Sequence, residues 1–204
     1  MVSRHYLNRL SVIYLEHTIN LKRFLVKFYI YLFFFFLLII NVTDSFADNR
    51  RYVWTYEYQI GSWDMATTMW MNGPDKPPTI AKGTAELRWV LDGRFLQQET
   101  KGEFMGMPSQ GMGFNGYDNL DKKYTMFWID NSATAMYTAE GNFDKAGKVL
   151  TMYGKMDDAI SGEHDKPAVY ILKLIDKDKW IFEFHDLVLQ PNTKVGEIVY
   201  TRKK

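Results

Sequence analysis

Residues 79–105 read TIAKGTAELRWVLDGRFLQQETKGEFM. Thr79–Leu91 and Arg94–Met105 are short stretches in which apolar and polar residues alternate. That alternation is the pattern of strands with one buried face. Asp92-Gly93 stands between them. Both residues accept positive φ, so the pair joins two antiparallel strands in a tight hairpin.

The same grammar extends in both directions. Toward the N-terminus, Ser62–Met71 ends at Asn72-Gly73-Pro74. Downstream, Gly106, Pro108 and Gly111 read as a loop before Met112–Tyr117, and Asp118–Lys122 reads as a turn. Lys123–Ile129 and Thr134–Phe143 are separated by Asp130-Asn131-Ser132, and Lys145-Ala146-Gly147 leads into Lys148–Met156. A polar loop spans Asp157–Lys166. Ala168–Ile175 and Trp180–Leu189 are joined by Asp176–Lys179, and Gln190–Thr193 turns into Lys194–Thr201. About ten strands with short connections favour antiparallel neighbours. Closing such a sheet removes its aggregation-prone edges. The fold class predicted is all-β, an antiparallel up-and-down barrel of roughly eight to ten strands. Such a barrel has room inside for side chains or one small ligand. A two-sheet sandwich is the alternative. Tyr52–Ile60 reads two ways: period two argues strand, whereas Tyr52, Tyr56 and Ile60 also fit a helical face that caps one barrel end.

Upstream lies a different kind of segment. Lys22, Arg23 and Lys27 precede an unbroken apolar run from Phe28 to Ile40. A spanning helix needs about 20 such residues. Asn41–Asp44 break the run, and Ser45-Phe46-Ala47 follows with small residues at its first and third positions. A basic region, a short apolar region and a small-x-Ala site form the secretory pattern. The expectation is a signal peptide over residues 1–47, cleaved after Ala47, and a mature domain over residues 48–204. The protein is then periplasmic or extracellular, with no membrane attachment after cleavage. An uncleaved anchor is the rival reading.

Composition narrows the function. Of 25 basic and 24 acidic residues, five basic and two acidic lie in residues 1–47, which leaves 20 and 22 in the remainder. That near balance is not the footprint of a nucleic-acid binder. The chain has no cysteine, so disulfides, thiolate metal sites, a cysteine nucleophile and a lipid-modified cysteine are excluded.

Several short motifs stand in a fixed order: Gly61-Ser62-Trp63, Leu91-Asp92-Gly93-Arg94-Phe95-Leu96, Gly116-Tyr117-Asp118, Trp128-Ile129-Asp130, and Glu197 through Lys203. Together they resemble an uncharacterised bacterial family of exported, lipocalin-like (calycin-type) barrel proteins of unknown function. The resemblance runs from about Trp54 to Lys203. It implies that Trp63 packs at the closed end of the barrel against Arg202 from the last strand. It gives those two residues structural work and names no catalytic residue. Asn131 stands where that family often has serine, and no lipocalin T-D-Y motif is present.

The remaining candidates concern binding. Eight of the 11 methionines fall within residues 65–136, among tyrosines and tryptophans. Methionine is flexible and polarizable and adapts to apolar ligands, though it also fills cores. The first reading is therefore a binding protein for a small hydrophobic or amphipathic molecule. Trp70, Met105, Met107, Phe114, Trp128 and Tyr137 are candidates to line the site. Tyr117, Asp130, Glu183 or His185 would supply a polar contact. The Met105–Met112 segment would gate the mouth, its glycines permitting movement. An alternative is a hydrolase or isomerase with Glu183 and His185 as acid–base pair. A structural envelope protein is the third reading. In Trp180–Asp186, Trp180, Phe182 and Phe184 share one face and Glu183 and His185 the other. Large aromatics take the apolar side, which points His185 outward. The acids of Asp157–Asp165 and His164 match no known cation loop and read as a solvated turn, so neither metal nor cofactor is expected.

Overall fold

The computed structural model describes residues 24–35, 54–71, 73, 75–158, 162–188 and 194–204. The expectations for Ser45–Ala47 and Tyr52 fall outside these. The chain divides into two units, Met1–Asp48 and Asn49–Lys204. In the first, residues 24–35 form a helix with exposed side chains. Among the described residues, no helix is long and apolar enough to cross a membrane.

The second unit is a 3-10 helix, Trp54–Gln59, followed by ten strands. These are β1 Gly61–Met69, β2 Thr79–Val90, β3 Phe95–Phe104, β4 Met107–Asp118, β5 Lys123–Asp130, β6 Tyr137–Phe143, β7 Val149–Asp158, β8 Glu163–Asp176, β9 Lys179–Asp186 and β10 Lys194–Arg202. Each pairs antiparallel with its sequence neighbours, and β1 pairs with β10 to close an up-and-down barrel. The sandwich alternative is thereby excluded. The ambiguous segment before Gly61 takes the helical reading.

Two of the boundaries that differ from the sequence reading bear on the candidate site. The Met105–Met112 segment is not the loop expected: β3 and β4 meet in a two-residue turn, Met105-Gly106, with φ of 53° and 79°. Positive φ at both residues gives the twist that a two-residue hairpin needs. Methionine hid it, because this turn usually announces itself by Asn or Asp before glycine. Similarly, β8 begins at Glu163, so the polar loop predicted over Asp157–Lys166 is mostly strand.

The helix and the chain termini of the barrel build one sealed end. Trp63 is fully buried, and its indole Nε1 donates to the Gln59 carbonyl at 2.7 Å. The Arg202 guanidinium lies 4.2 Å from the Trp63 ring centroid. Its nitrogens also donate to the carbonyls of Ile60 and Tyr58, each at 2.7 Å, and of Lys177 at 2.9–3.0 Å. Gly61 has φ of 113°, and a Cβ there would lie 2.9 Å from Arg202 Nη1, so both conformation and space require glycine. Tyr56 and Gln59, each 1% exposed, cover the end from the helix. The Trp63–Arg202 contact implied by the resemblance is present.

Lysine at position 202 keeps the charge but cannot fork to three carbonyls or stack on an indole. Arg202→Lys is expected to cost about 3 kcal/mol, lowering the thermal midpoint by roughly 6–12 °C. Thermal unfolding followed by circular dichroism checks this; an unchanged midpoint contradicts the assigned role.

Candidate functional site

Trp63 and its register partners Ala85 and Arg202 set the inward phase of the barrel. Carried from strand to strand, that phase turns Met65, Tyr200, Trp180, Phe182 and Phe184 inward. Burial varies along the interior: Trp89, Tyr117, Phe143 and Leu174 near the sealed end keep partial exposure, and Met152, Ala168 and Tyr170 toward the other end are buried. At the sealed end, Trp63, Leu87, Leu96, Leu150, Trp180 and Tyr200 are buried. Toward the other end, Met65, Met126, Phe182, Phe184 and Ile198 also face inward and pack on the core, yet each keeps partial exposure. A side chain walled by strands retains exposure only where protein leaves solvent-sized space against it. The inward phase also explains that space. At the same levels it places Ala81, Gly83, Gly102, Gly154, Ala168 and Gly196 on facing strands. Side chains this small leave width to their neighbours, and over Gly196 Met69 and Phe184 take it.

The walls of this chamber are largely aromatic. Tyr170 and Phe182 stack with centroids 6.0 Å apart and planes 14° from parallel, and Phe184 meets Phe182 edge-on at 5.1 Å. The Tyr170 hydroxyl donates to the Lys155 carbonyl at 3.0 Å. Burial pushes its phenol up to about 12. Across the barrel, Trp128 lies flat against Gly111 and Gly113; a Cβ on Gly113 would sit 2.6 Å from Trp128 Cε3. The floor is a hydrogen bond from Gln98 Nε2 on β3 to the Tyr200 hydroxyl on β10, 3.0 Å long.

Among the described residues, charged side chains face inward only at the two ends. Arg202 is at the sealed end. At the other, Lys166 pairs with Asp186 at 2.6 Å and with Glu163 at 3.0 Å, and the Lys166 and Asp186 side chains are 7% and 4% exposed. Asp130, also at this end, accepts from Trp128 Nε1 at 3.0 Å and from the Ser132 backbone N–H at 2.9 Å. Burial, then the Asp130 and Asp157 carboxylates, push the Tyr137 phenol above its ordinary value.

Of the residues singled out from sequence, Trp128, Asp130 and Tyr137 come together in this half of the lumen. Tyr117 faces inward at the sealed end, edge-on to Tyr124 at 5.0 Å. Phe114 is on the outer face against Phe127. Met105 and Met107 are exposed at the hairpin tip, 65% and 64%. Trp70 lies outside, its ring 5.6 Å from Lys194 Nζ. Glu183 and His185 also lie outside, because period two turns Phe182 and Phe184 inward. They are within 3.2 Å of each other, but the Glu183 carboxylate is covered by Lys173 at 2.8 Å and Lys194 at 3.4 Å. Burial pushes that carboxyl up. Hydrogen bonds from Lys173 and His185 and the charges of Lys173 and Lys194 outweigh this and hold it below its ordinary value. The pair is an outer-face ionic cluster, and it forms no cleft with the lumen. Glu99 is likewise paired on the outer face, with Arg88 at 2.8 Å.

Sequence reasoning missed Gln98, Tyr200, Lys166 and Asp186. The signal for Tyr200 was present: it stands two residues before Arg202, so it shares that residue's inward phase. Lys166 and Asp186 carried no such signal, since charged residues near strand ends read as solvated.

The family profile described as "Protein of unknown function (DUF1579)" matches residues 55–202, so the chain belongs to that family. No curated protein matches the sequence. Among solved structures, Rv2717c from M. tuberculosis is similar at 14% identity with a TM-score of 0.56, covering 76% of this chain and 98% of that one. That likeness shows the fold. Two redesigned β-barrels match more loosely, at 12% and 10% identity with TM-scores of 0.39 and 0.40. They cover 74% and 72% of this chain and 96% and 100% of their own, and the second is bound to DFHBI.

The buried Lys166–Asp186 pair makes a sharp energetic prediction. Lys166→Met strands the Asp186 carboxylate without its main partner and is expected to cost about 3–5 kcal/mol. Lys166→Met with Asp186→Leu removes both charges and is expected to recover most of that loss. Chemical denaturation of the three proteins checks this, and a double variant no more stable than the single one contradicts it.

Proposed function

We propose that this DUF1579 protein holds a small apolar or amphipathic molecule inside its barrel. The observation that carries the reading is the partial exposure of inward-facing Met65, Met126, Phe182, Phe184 and Ile198 beyond a sealed floor. A concave, mostly apolar space with few polar groups is the ordinary form of a small-molecule site. The aromatic walls supply dispersion and ring contacts, and Asp130, Tyr137 and the Lys166–Asp186 pair supply polarity at the opposite end. The outward placement of Glu183 and His185 favours this reading over the acid–base enzyme.

The lipocalin-like character and export belong to the same proposal. A barrel sealed by a tryptophan–arginine contact at one end, with partly exposed inward side chains beyond it, supports the former. The basic flank, the apolar run of Phe28–Ile40 and the Ser45-Phe46-Ala47 site support the latter. In this reading the protein carries or captures its ligand outside the cytoplasm.

Native mass spectrometry of the protein, purified gently from an exporting host, tests both parts. The expected result is a polypeptide beginning at Asp48 with a reproducible extra mass that organic extraction removes. A bare polypeptide that also takes up no added apolar dye contradicts the carrier reading. A chain that retains residues 1–47 contradicts cleavage.

A further inference from the structure

The floor of the chamber has an unusual chemistry for an apolar barrel. Gln98 and Tyr200 are 7% and 3% exposed, both face the lumen, and they come from strands separated by β1 and β2. Their hydrogen bond uses one donor of the amide and the hydroxyl oxygen. The Tyr200 hydroxyl proton then has no acceptor, and the Gln98 carbonyl no donor, among the described residues. If the amide is turned the other way, Tyr200 donates to it and both amide N–H groups are left over. Either way the pair keeps two spare donors and at least one spare acceptor. The Trp180 ring stacks on Tyr200 at 3.5 Å and packs the floor. Polar groups this far inside a barrel bond something, so the unused groups of the pair call for a partner.

The surroundings define what that something is. Among the described residues no charged side chain faces the lumen between Arg202 and the Asp130, Lys166 and Asp186 end. Burial raises the Tyr200 phenol, against a smaller lowering by Gln98, so it stays a neutral donor. A carboxylate or ammonium driven to this depth would lose its hydration with no counter-charge to replace it. A neutral group with adjacent acceptor and donor loses little, because both bonds are remade. The walls above, Tyr170, Phe182, Phe184 and Trp128, suit a flat ring.

We infer that the ligand is a neutral, ring-bearing molecule that enters amide-first, its carboxamide-type group bonded to Gln98 and Tyr200. This rests on the chamber reading of the preceding section. Three matched probes separate the two: naphthalene-2-carboxamide, naphthalene-2-carboxylate and 2-ethylnaphthalene, titrated at pH 7 by quenching of tryptophan fluorescence. The carboxamide is expected to bind at least tenfold more tightly than the carboxylate. Tyr200→Phe is expected to weaken the carboxamide about tenfold while leaving 2-ethylnaphthalene within about twofold. Gln98→Leu reads the same loss, and serves alone where Tyr200→Phe does not fold. Equal affinities for the three probes, or variants that weaken the hydrocarbon as much as the amide, overturn the inference and leave the chamber standing. Binding of none of them overturns the chamber reading and the inference with it.

Discussion

The stacking of the Arg202 guanidinium on the Trp63 indole ties the start of the barrel to its end. β1 and β10 are the first and last strands, and their pairing closes the sheet. The same guanidinium reaches Tyr58 and Ile60 at the exit of the 3-10 helix and Lys177 in the β8–β9 turn. One side chain therefore fixes the cap, the closing seam and a neighbouring hairpin. The charge is tolerated there because carbonyl oxygens, an aromatic face and the Asp178 carboxylate at 3.2 Å replace part of its water. Burying the indole beneath it contributes about 5 kcal/mol, taking roughly 200 Å² at 25 cal/mol per Å².

Once that end is sealed, the rest of the interior follows from side-chain size. Trp180 on Tyr200 and Trp63 edge-on to Trp180 fill the bottom with interlocked rings. Above them the facing strands supply glycine and alanine beside Tyr170, Phe182 and Phe184. Glycine is not simply absence of bulk here. At Gly141 a Cβ would collide with the Thr151 carbonyl, so the residue also lets β6 and β7 bend closely enough to close the barrel.

Most of the architecture was legible because turn residues and period-two alternation are local signals. Asp92-Gly93 and the Gly61-Ser62-Trp63 motif carried their meaning openly. The site was less legible. Alternation tells which residues share a face but not which face is inside, and Trp70 and Phe114 show the cost. Both are large and aromatic, and both lie outside: Trp70 is covered by Lys194 and Phe114 packs on Phe127. His185 shows the converse, since the inward claim of Phe182 and Phe184 fixed its orientation. The Gln98–Tyr200 bond joins residues 102 positions apart, and no local pattern announces a contact that only closure creates. Met105-Gly106 was hidden for a different reason, a rare residue in a common turn.

The central claim is a barrel sealed at one end and hollow beyond the Gln98–Tyr200 bond. Xenon enters apolar cavities without needing any polar contact. Crystals of the barrel pressurised with xenon are therefore the most direct measurement. The account predicts xenon density in the lumen beside Phe182, Ile198 and Met126, and none between that floor and Trp63. A lumen without xenon, packed by its own side chains from end to end, would contradict it.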